Sequence, residues 1–380
     1  MRTEVFLTRT GAFLPFAAVG NEEIEDVLGR VGGKPSRARG IVLRNNGIQF
    51  RHYAIDRATG EPAMSNAQLT AAAIRALGES GDIGRIDCLA TGTSLPDQLM
   101  PNHAVMVHGE LGWPRLEVVS CAGICLAGTA ALKHAWLAVR AGDARRAVAT
   151  GSELASPLLL ARNFGPEVEH KLRALDARPE IGFEKDFLRW MLSDGAGAVL
   201  LESTPRGPLS LRIDWIELSS AAHELPACMY AGADKEADGS LRGWLRFSAD
   251  ERQARSVFTV KQDVRLLDDH VVRATLSEPL ADIMQRRQIG IGDIDWFLPH
   301  LSSQYFIQPV VQALADIGLP IPRERWFGNL TTKGNTGSAS PYIMLDELFR
   351  SGRIRSGDGL LMFVPESGRF SSGFVYMKAV

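Results

Sequence analysis

Short apolar runs that alternate with helical patterns restrict the fold of this chain more than any other feature of its sequence. Apolar runs typical of buried strands occur at 86–93, 116–120, 146–152, 196–203, 295–300, 359–368 and 372–380. Helical patterns occur at 125–142, 264–287, 306–317 and 340–350. Strands and helices in alternation are the pattern of α/β proteins, in which helices cover the faces of a sheet. The sequence therefore predicts an α/β fold.

The length of the chain predicts two linked core units. A chain of 380 residues exceeds what one simple hydrophobic core usually holds. The segment TPRG interrupts the pattern near residue 205, so we expect one unit at 1–205 and another at 206–380. Two segments, 155–188 and 221–256, fit the alternation poorly. We predict that they are excursions from the core, and such excursions often carry substrate contacts.

Charge and composition exclude several classes of protein. The chain has 42 Lys+Arg and 44 Asp+Glu, a net charge of -2, which gives no electrostatic reason to expect nucleic acid. It contains no apolar run of 18 residues, and its first residues lack the apolar stretch of a signal peptide. The four cysteines are too few for a disulfide framework in a chain of this length. We therefore expect a cytoplasmic protein without a membrane span.

Cys125 stands where a predicted strand has ended and a predicted helix begins. The first turn of a helix has unpaired N–H groups and a partial positive charge, which favour a thiolate. The N–H of such a cysteine can also stabilise a developing oxyanion. Gly123 and Gly128 leave room for an approaching substrate. The alternative is a buried structural cysteine, which is the more common role of this residue type.

A histidine and an asparagine in the second half suit a cysteine nucleophile. His300 lies at the end of a predicted strand, and Asn335 lies in a loop of Gly, Thr and Ser that enters a helix. Both side chains offer N–H donors that can hold a thioester carbonyl or its enolate, and a histidine can also act as a base. A structural histidine and a turn-forming asparagine are the alternatives. The order Cys, His, Asn also occurs in cysteine proteases, so order alone does not decide the chemistry.

The ordered set of short motifs resembles the type III β-ketoacyl-acyl-carrier-protein synthases of the thiolase superfamily. The resemblance runs nearly from end to end, and its strength comes from the order of motifs that are individually weak. The motifs are GAFLP (11–15), NNGIQFRHYAI (45–55), LGWP (111–114), the helix that starts near Cys125, GSE (151–153), SDGAGAV (193–199), FLPH (297–300), KGNTGSAS (333–340) and the closing strand with its glycine.

The resemblance also decides between two cysteines. Cys121 begins a Cys-Ala-Gly tripeptide that looks like the family's nucleophile motif. Spacing favours Cys125, which follows Leu111 by 14 residues and precedes Gly151 by 26. The family's nucleophile has those spacings without a gap, whereas Cys121 would require a gap on both sides. The resemblance therefore implies that Cys125 is the nucleophile and that Cys121 packs beside it.

The family implies a reaction and a fold. By resemblance, Cys125 accepts an acyl group, while His300 and Asn335 bind a second thioester and stabilise the carbanion that attacks. The backbone N–H groups of Cys125 and Gly368 would form the oxyanion hole. The implied fold is a layered αβαβα arrangement of two similar halves. The implied substrates are acyl-CoA or acyl-carrier-protein thioesters, without a metal or organic cofactor. A homodimer that pairs through the strand at 146–152 is also implied.

Departures from the family pattern bear on the substrate. The segment 37–47 contains no aromatic residue, whereas simple priming synthases carry there a Trp that stacks on the adenine of coenzyme A. This difference favours delivery by a carrier protein. The long segment 155–188 lies by resemblance near the dimer interface and the acyl tunnel, so we expect an acyl chain longer than acetyl. Candidate docking residues for an acidic carrier are Arg286, Arg287, Arg323 and Arg325.

Two further departures concern the type of condensation. Relatives that join two acyl chains head to head place a glutamate where this chain has Met100, although Asp97 lies three residues earlier. The closing segment PESGRFSSGF replaces the usual Gly-rich form. It resembles ketosynthases of specialised metabolism, including those that form dialkylresorcinol or cyclohexanedione precursors. Two alternatives stay open: acyl transfer to an alcohol or amine, and a non-catalytic partner subunit of the thiolase fold.

Overall fold

The computed structural model describes residues 3–36, 39–78, 83–164 and 188–380. Its strands are β1 (Phe6–Phe13), β2 (Val19–Gly20), β3 (Phe50–Arg51), β4 (Cys88–Thr93), β5 (Glu117–Ala122), β6 (Arg146–Glu153), β7 (Gly195–Glu202), β8 (Leu211–Ser220), β9 (Met229–Tyr230), β10 (Ala233–Lys235), β11 (Leu241–Gly243), β12 (Lys261–Gln262), β13 (Trp296–Pro299), β14 (Gly359–Glu366) and β15 (Ser371–Ala379). The α-helices are Ile24–Leu28, Arg39–Asn46, Asn66–Arg75, His103–Leu111, Ala127–Ala141, Ser156–Leu159, Ala249–Ala254, Val264–Val272, Glu278–Arg287, Ile307–Asp316, Leu330–Lys333 and Ser340–Arg350.

Nine strands form one mixed sheet in the order β13–β14–β15–β8–β1–β7–β6–β4–β5. Outward from β1, the pairs with β7 and between β7 and β6 are antiparallel, and the next two pairs are parallel. Outward from β8, the pairs with β15 and between β15 and β14 are also antiparallel, and β14 pairs with β13 in parallel. A parallel bridge between Phe297 and Trp326 stands where a fifth strand would follow. The two halves of the chain therefore repeat one topology.

The short antiparallel contact between β1 and β8 joins the two halves. It consists of the pairs Phe6 with Arg212 and Leu7 with Leu211. The expected division after residue 205 falls between the end of β7 at Glu202 and the start of β8. The position of that boundary within the connection stays a prediction.

Three buried clusters show how helices and sheet are layered. One cluster joins the helices Asn66–Arg75 and His103–Leu111 to the outer face of the first half of the sheet. The largest cluster places Ala127–Ala141 and Ser340–Arg350 between the two halves of the sheet. A third covers the outer face of the second half with the helical run from 264 to 287 and with Ile307–Asp316. This arrangement is the αβαβα layering that the sequence led us to expect.

Most predicted elements occur close to their predicted positions. The helix expected at 125–142 spans Ala127–Ala141 and ends at Gly142, which has a left-handed φ of 86° that favours glycine. The helix expected at 264–287 is continuous, because the π-helical turn Arg273–Ser277 joins its two α-helical parts. In contrast, the sequence did not predict β1 or β8, although these strands form the centre of the sheet.

The expectation that copies of this chain pair through the strand at 146–152 is wrong. That strand is β6, and it is hydrogen-bonded on both sides, to β4 and to β7. Its backbone groups are therefore already used within the sheet. The free edge of the first half is β5 instead.

Along the described parts of the chain, we find no helix with both the length and the apolar character needed to span a bilayer.

Candidate active site

A cavity of about 1060 Å³ opens beside the start of the helix Ala127–Ala141. Three predicted site residues line it: Cys125, Asn335 and Gly368. Both excursions from the core contribute to its wall, the first through Ala155 and Leu188 and the second through residues from 223 to 241. Residues 165–187 of the first excursion lie outside the described residues. Sequence analysis therefore predicted both segments that contribute to the wall, but it did not identify which of their residues line the cavity.

Cys125 lies in the turn that connects β5 to the helix Ala127–Ala141, and only 9% of its surface is exposed. It also lines a second, smaller pocket of about 40 Å³, together with His300, Ser302 and Ser367. The structure thus places Cys125 between the large cavity with Asn335 and the small pocket with His300. Residues predicted from distant parts of the sequence therefore line the two pockets that Cys125 also lines.

Glu366 lies at the end of β14, and its carboxylate binds the turn that precedes the helix Ala127–Ala141. Its Oε2 accepts hydrogen bonds from the backbone N–H of Ile124, at 2.8 Å, and of Leu126, at 3.1 Å. These are the groups on either side of Cys125 that could otherwise stabilise a thiolate. Burial raises the pKa of the Cys125 thiol, and the negative charges of Glu366 and Glu153 raise it further. The expectation of a favoured thiolate is therefore wrong for the unloaded site, where the thiol form is stable.

His300 follows β13, and its backbone N–H donates to the Phe363 carbonyl on β14 at 2.8 Å. The side chain is 3% exposed, and its Nε2 has no hydrogen-bond partner among the described residues. Burial lowers the pKa of His300 to about 4. The imidazole is therefore neutral at pH 7, and the tautomer with a proton on Nε2 can donate a hydrogen bond to a bound carbonyl.

Asn335 is held by its backbone on both sides. Its N–H donates to the Met191 carbonyl at 3.1 Å, and its carbonyl accepts from the N–H of Ser193 at 2.9 Å. The side-chain Oδ1 accepts from the N–H of Gly337 at 3.0 Å, which fixes the amide plane. With Oδ1 engaged, the Nδ2 group is the end of the amide that remains to donate to a ligand in the cavity.

Gly368 lies in the turn between β14 and β15, against the residue that precedes Cys125. A Cβ on Gly368 would lie 3.0 Å from Cδ1 of Ile124, so any larger residue would require the Ile124 side chain to shift. Its carbonyl accepts from the N–H of Cys228 at 2.8 Å. In the described part of the chain, the N–H groups of Gly368 and Cys125 donate to no other residue. Both are thus available to an oxyanion.

Cys121 has a different environment. It lies on β5 opposite Gly92 of β4 and packs against the central cluster. Unlike Cys125, it is not among the described residues that line either pocket. Its position agrees with a small packing residue beside the nucleophile.

Two other histidines are held by hydrogen bonds within the fold. His52 bonds through Nδ1 to the carbonyls of Pro15 and Phe16, and His103 bonds through Nε2 to Thr70 and Ser152. His223 differs, because it lines the large cavity as an exposed residue at its mouth. His170 lies outside the described residues.

The four arginines that were candidates for carrier docking do not line the large cavity. Arg286 and Arg287 both pair with Glu217. Of the lysines and arginines in the described ranges, Arg369 alone lines the cavity. Its Nε donates to the Leu225 carbonyl at 2.9 Å. Sequence analysis did not name Arg369 or Glu366, although the unusual segment PESGRF contains both.

Comparison with known proteins shows what this chain is similar to. Residues 284–377 match the model of the 3-oxoacyl-[acyl-carrier-protein (ACP)] synthase III C-terminal region, and they include His300, Asn335 and Gly368. The chain is 27% identical to the β-ketoacyl-[acyl-carrier-protein] synthase III of Sphingopyxis alaskensis, with 100% of each chain covered. This full-length match covers both halves of the fold. The chain is similar to type III ketosynthases over its full length, and its C-terminal part matches their family model.

Solved structures show the same ketosynthase fold. The 3-oxoacyl-(acyl carrier protein) synthase III of Pseudomonas aeruginosa superposes with a TM-score of 0.71 at 20% identity, over 99% of this chain and 98% of the other. OleA of Xanthomonas campestris, solved with lauric acid and lauroyl-CoA, gives 0.72 at 19% identity over 100% of both chains. At these identities the structures support the fold of this chain and not its substrate.

Proposed function

We propose that this chain is an acyltransferase that loads an acyl group on Cys125 and joins it to a second acyl thioester by Claisen condensation. The observation that carries the proposal is the convergence of Cys125, Asn335 and Gly368 on one cavity, with His300 beside Cys125 in the adjoining pocket. Acyl transfer to the thiol and attack by a stabilised carbanion need these groups in these positions.

The proposed residues divide the work between two steps. In loading, the Cys125 sulfur attacks a thioester carbonyl, and the N–H groups of Cys125 and Gly368 stabilise the oxyanion. In condensation, the neutral His300 and the amide of Asn335 donate hydrogen bonds to the carbonyl oxygen of the second thioester. Charge then develops on that oxygen as the enolate forms. Two fixed donors in a buried site stabilise it more than water would.

The cavity supports an acyl chain longer than acetyl. Its volume of about 1060 Å³ lies at the upper end of the range for small-molecule sites. Apolar side chains contribute to its wall, among them Leu188, Met191, Leu192, Leu225 and Val260. The proposed substrates are acyl-CoA or acyl-carrier-protein thioesters of fatty-acid or polyketide-like metabolism. The branch that makes dialkylresorcinol or cyclohexanedione precursors remains part of this proposal.

We propose a homodimer that pairs at the free edge strand β5. Exposed apolar side chains lie in the loop that follows β4, the strand paired with β5, where Leu99 is 68% and Met100 is 85% exposed. An unpaired edge with apolar neighbours favours a second copy of the chain.

Light scattering after gel filtration should give a dimer, and Leu99→Asp with Met100→Asp should weaken it. Leu245→Asp, at a residue 75% exposed elsewhere, is the control. A monomeric wild type would contradict the proposal.

A cytoplasmic location is also proposed, since four cysteines are too few for a disulfide framework in a chain of 380 residues.

Intact-protein mass spectrometry after incubation with a panel of acyl-CoA and acyl-carrier thioesters tests the loading step. We expect a mass increase of one acyl chain in the wild type and in Cys121→Ser, and none in Cys125→Ser. Loss of loading in Cys121→Ser alone would assign the nucleophile to the other cysteine. A wild type that loads no donor of the panel favours the non-catalytic partner subunit. Product formed on an added alcohol or amine, rather than on a second thioester, favours simple acyl transfer.

A further inference from the structure

Glu366 holds a carboxylate next to the nucleophile with one oxygen fixed and the other open. Oε2 is anchored by the N–H groups of Ile124 and Leu126. Oε1 accepts no hydrogen bond from the described residues, and it is absent from the buried atoms that lack a partner, so it remains accessible. A carboxylate with this geometry has a defined orientation and a free lone pair that faces the substrate cavity.

The His300 side chain gives a second indication of a ligand site beside Cys125. The Nε2 of His300 is buried without a partner among the described residues, in the small pocket that also contains Cys125 and Ser367. Ser367 directly follows Glu366 in the chain. A buried donor without an acceptor costs free energy unless a ligand supplies the acceptor. A thioester carbonyl bound there would bring its α-carbon to the space between His300 and Glu366.

The charges around Cys125 disfavour an anionic second substrate. Glu366 and Glu153 both line the cavity with Cys125, and both raise the pKa of its thiol. The cation that lines the cavity in the described part of the chain, Arg369, is exposed and bonded to the Leu225 carbonyl. A malonyl carboxylate placed near the thioester would face these carboxylates at short range. An uncharged acyl thioester avoids this repulsion, but it carries no carboxylate to lose and needs a base instead.

We propose that Glu366 is the base that removes an α-hydrogen from an uncharged second acyl thioester, so that condensation proceeds without decarboxylation. This inference rests on the proposed function and specifies its second substrate. Glu366 Oε1 takes the α-proton, and the C–H electron pair forms the enolate. The enolate carbon then attacks the acyl carbonyl on Cys125, and the C–S bond to Cys125 breaks. The departing thiolate takes the proton from Glu366, which regenerates both the thiol and the carboxylate.

Glu153 is a weaker candidate for this base. Its Oε2 accepts from Oγ of Ser94 at 2.5 Å and from the N–H of Ser338 at 3.4 Å. Its Oε1 is buried and has no partner among the described residues, so a substrate hydrogen cannot reach it without a rearrangement. Burial raises the pKa of Glu153 to about 7. Glu153 is therefore only partly ionised at pH 7, and it offers the cavity no accessible lone pair.

The test separates loading from deprotonation in the full chain. Wild type and Glu366→Gln are first loaded with an acyl-CoA of the panel, and loading is followed by intact mass. Exchange of the α-hydrogens of a saturated acyl-CoA is then followed in D2O, together with formation of the condensed product. The glutamine amide oxygen can still accept from Ile124 and Leu126, so the fold should persist. Glu110→Gln, at an exposed position on the helix His103–Leu111, is the matched control.

We expect Glu366→Gln to load at least as fast as wild type, because the substitution removes a negative charge beside Cys125. Exchange and condensation should fall by at least about 100-fold, the usual contribution of a general base. Wild type should use a saturated acyl thioester in preference to its malonyl counterpart. Undiminished exchange in Glu366→Gln, slower loading in that variant, or a wild-type preference for the malonyl donor with release of CO2 would each overturn the inference. A wild type that loads no acyl group contradicts the proposed function and this inference with it.

Discussion

Gly151 of β6 and Ser338 of the second half are in such close contact that a Cβ on Gly151 would lie 2.1 Å from the Ser338 carbonyl oxygen. Ser338 in turn donates through Oγ to the carbonyl of Ser152 at 2.6 Å. This contact connects the strand beside the Cys125 helix to the loop that carries Asn335. The relative position of the two halves of the site therefore depends on a glycine.

Replacing this glycine tests the contact. Gly151→Ala should lower the free energy of unfolding by about 1–3 kcal/mol, because the backbone of Ser338 has to move to admit the methyl group. Gly109→Ala is the control, since a Cβ there meets no atom within 4 Å. In the helix His103–Leu111 the control should be neutral or stabilising by up to about 1 kcal/mol. Urea unfolding of both variants measures the difference in the free energy of unfolding. Equal values would show that the Ser338 backbone moves without a cost in stability.

The raised pKa of Cys125 predicts a slow thiol. The cause is burial first, followed by the charges of Glu366 and Glu153. Alkylation by iodoacetamide, followed at Cys125 by peptide mass spectrometry, should be slow at pH 7 and should rise with pH up to pH 9 without a plateau, because only the thiolate reacts. Glu366→Gln should increase the rate at fixed pH. A rate that is already maximal at pH 7 would mean that the thiolate is present in the unloaded enzyme.

His300 and Asn335 should affect condensation and spare loading. Both belong to the proposed donor pair for the second thioester, and neither forms the oxyanion hole of the first step. His300→Ala and Asn335→Ala should each accept an acyl group on Cys125 at a rate near that of wild type. Condensation should fall by about 100-fold or more in each. Intact mass and product analysis on the same samples give both rates, and normal product from either variant would remove that residue from the mechanism.

Much of this structure could be predicted because buried strands and helix ends leave local patterns. The strands β4, β6, β7 and β14 are nearly continuous apolar runs, and the helix before Gly142 ends at a residue suited to positive φ. β1 escaped prediction because its centre, Thr8 to Thr10, is polar, and its burial depends on a distant partner. The Thr8 hydroxyl donates to Glu202 at 2.7 Å. Such compensation is not visible in the sequence.

The same difference between local sequence patterns and contacts with distant residues explains which site residues could be predicted. Cys125, His300 and Asn335 lie at the ends of elements with clear patterns, and their resemblance to family motifs located them. Glu366 is ordinary in sequence, and its role follows only when the end of β14 meets the turn before the Cys125 helix. The direction of the Cys125 pKa was mispredicted for this reason. A helix start predicts a favoured thiolate, but burial of the thiol reverses the effect, and the Glu366 carboxylate brought there by the other half adds to it.

His300 predicts a specific loss of stability in acid. Its pKa is lowered by burial from 6.5 to about 4, so the unfolded chain binds more protons than the folded chain between these values. The neutral side chain therefore contributes its full stability above pH 6.5, and this contribution is lost as the pH falls towards 4. A shift of this size corresponds to about 3 kcal/mol at most.

His300→Gln removes the titration, so the stability difference between wild type and this variant should change in favour of the variant from pH 7 to pH 4.5. Urea unfolding at both values measures that change, and His103→Gln should show a similar one because burial lowers the pKa of His103 to about 4 as well. A difference independent of pH would mean that water or a ligand reaches the His300 ring and keeps it easy to protonate.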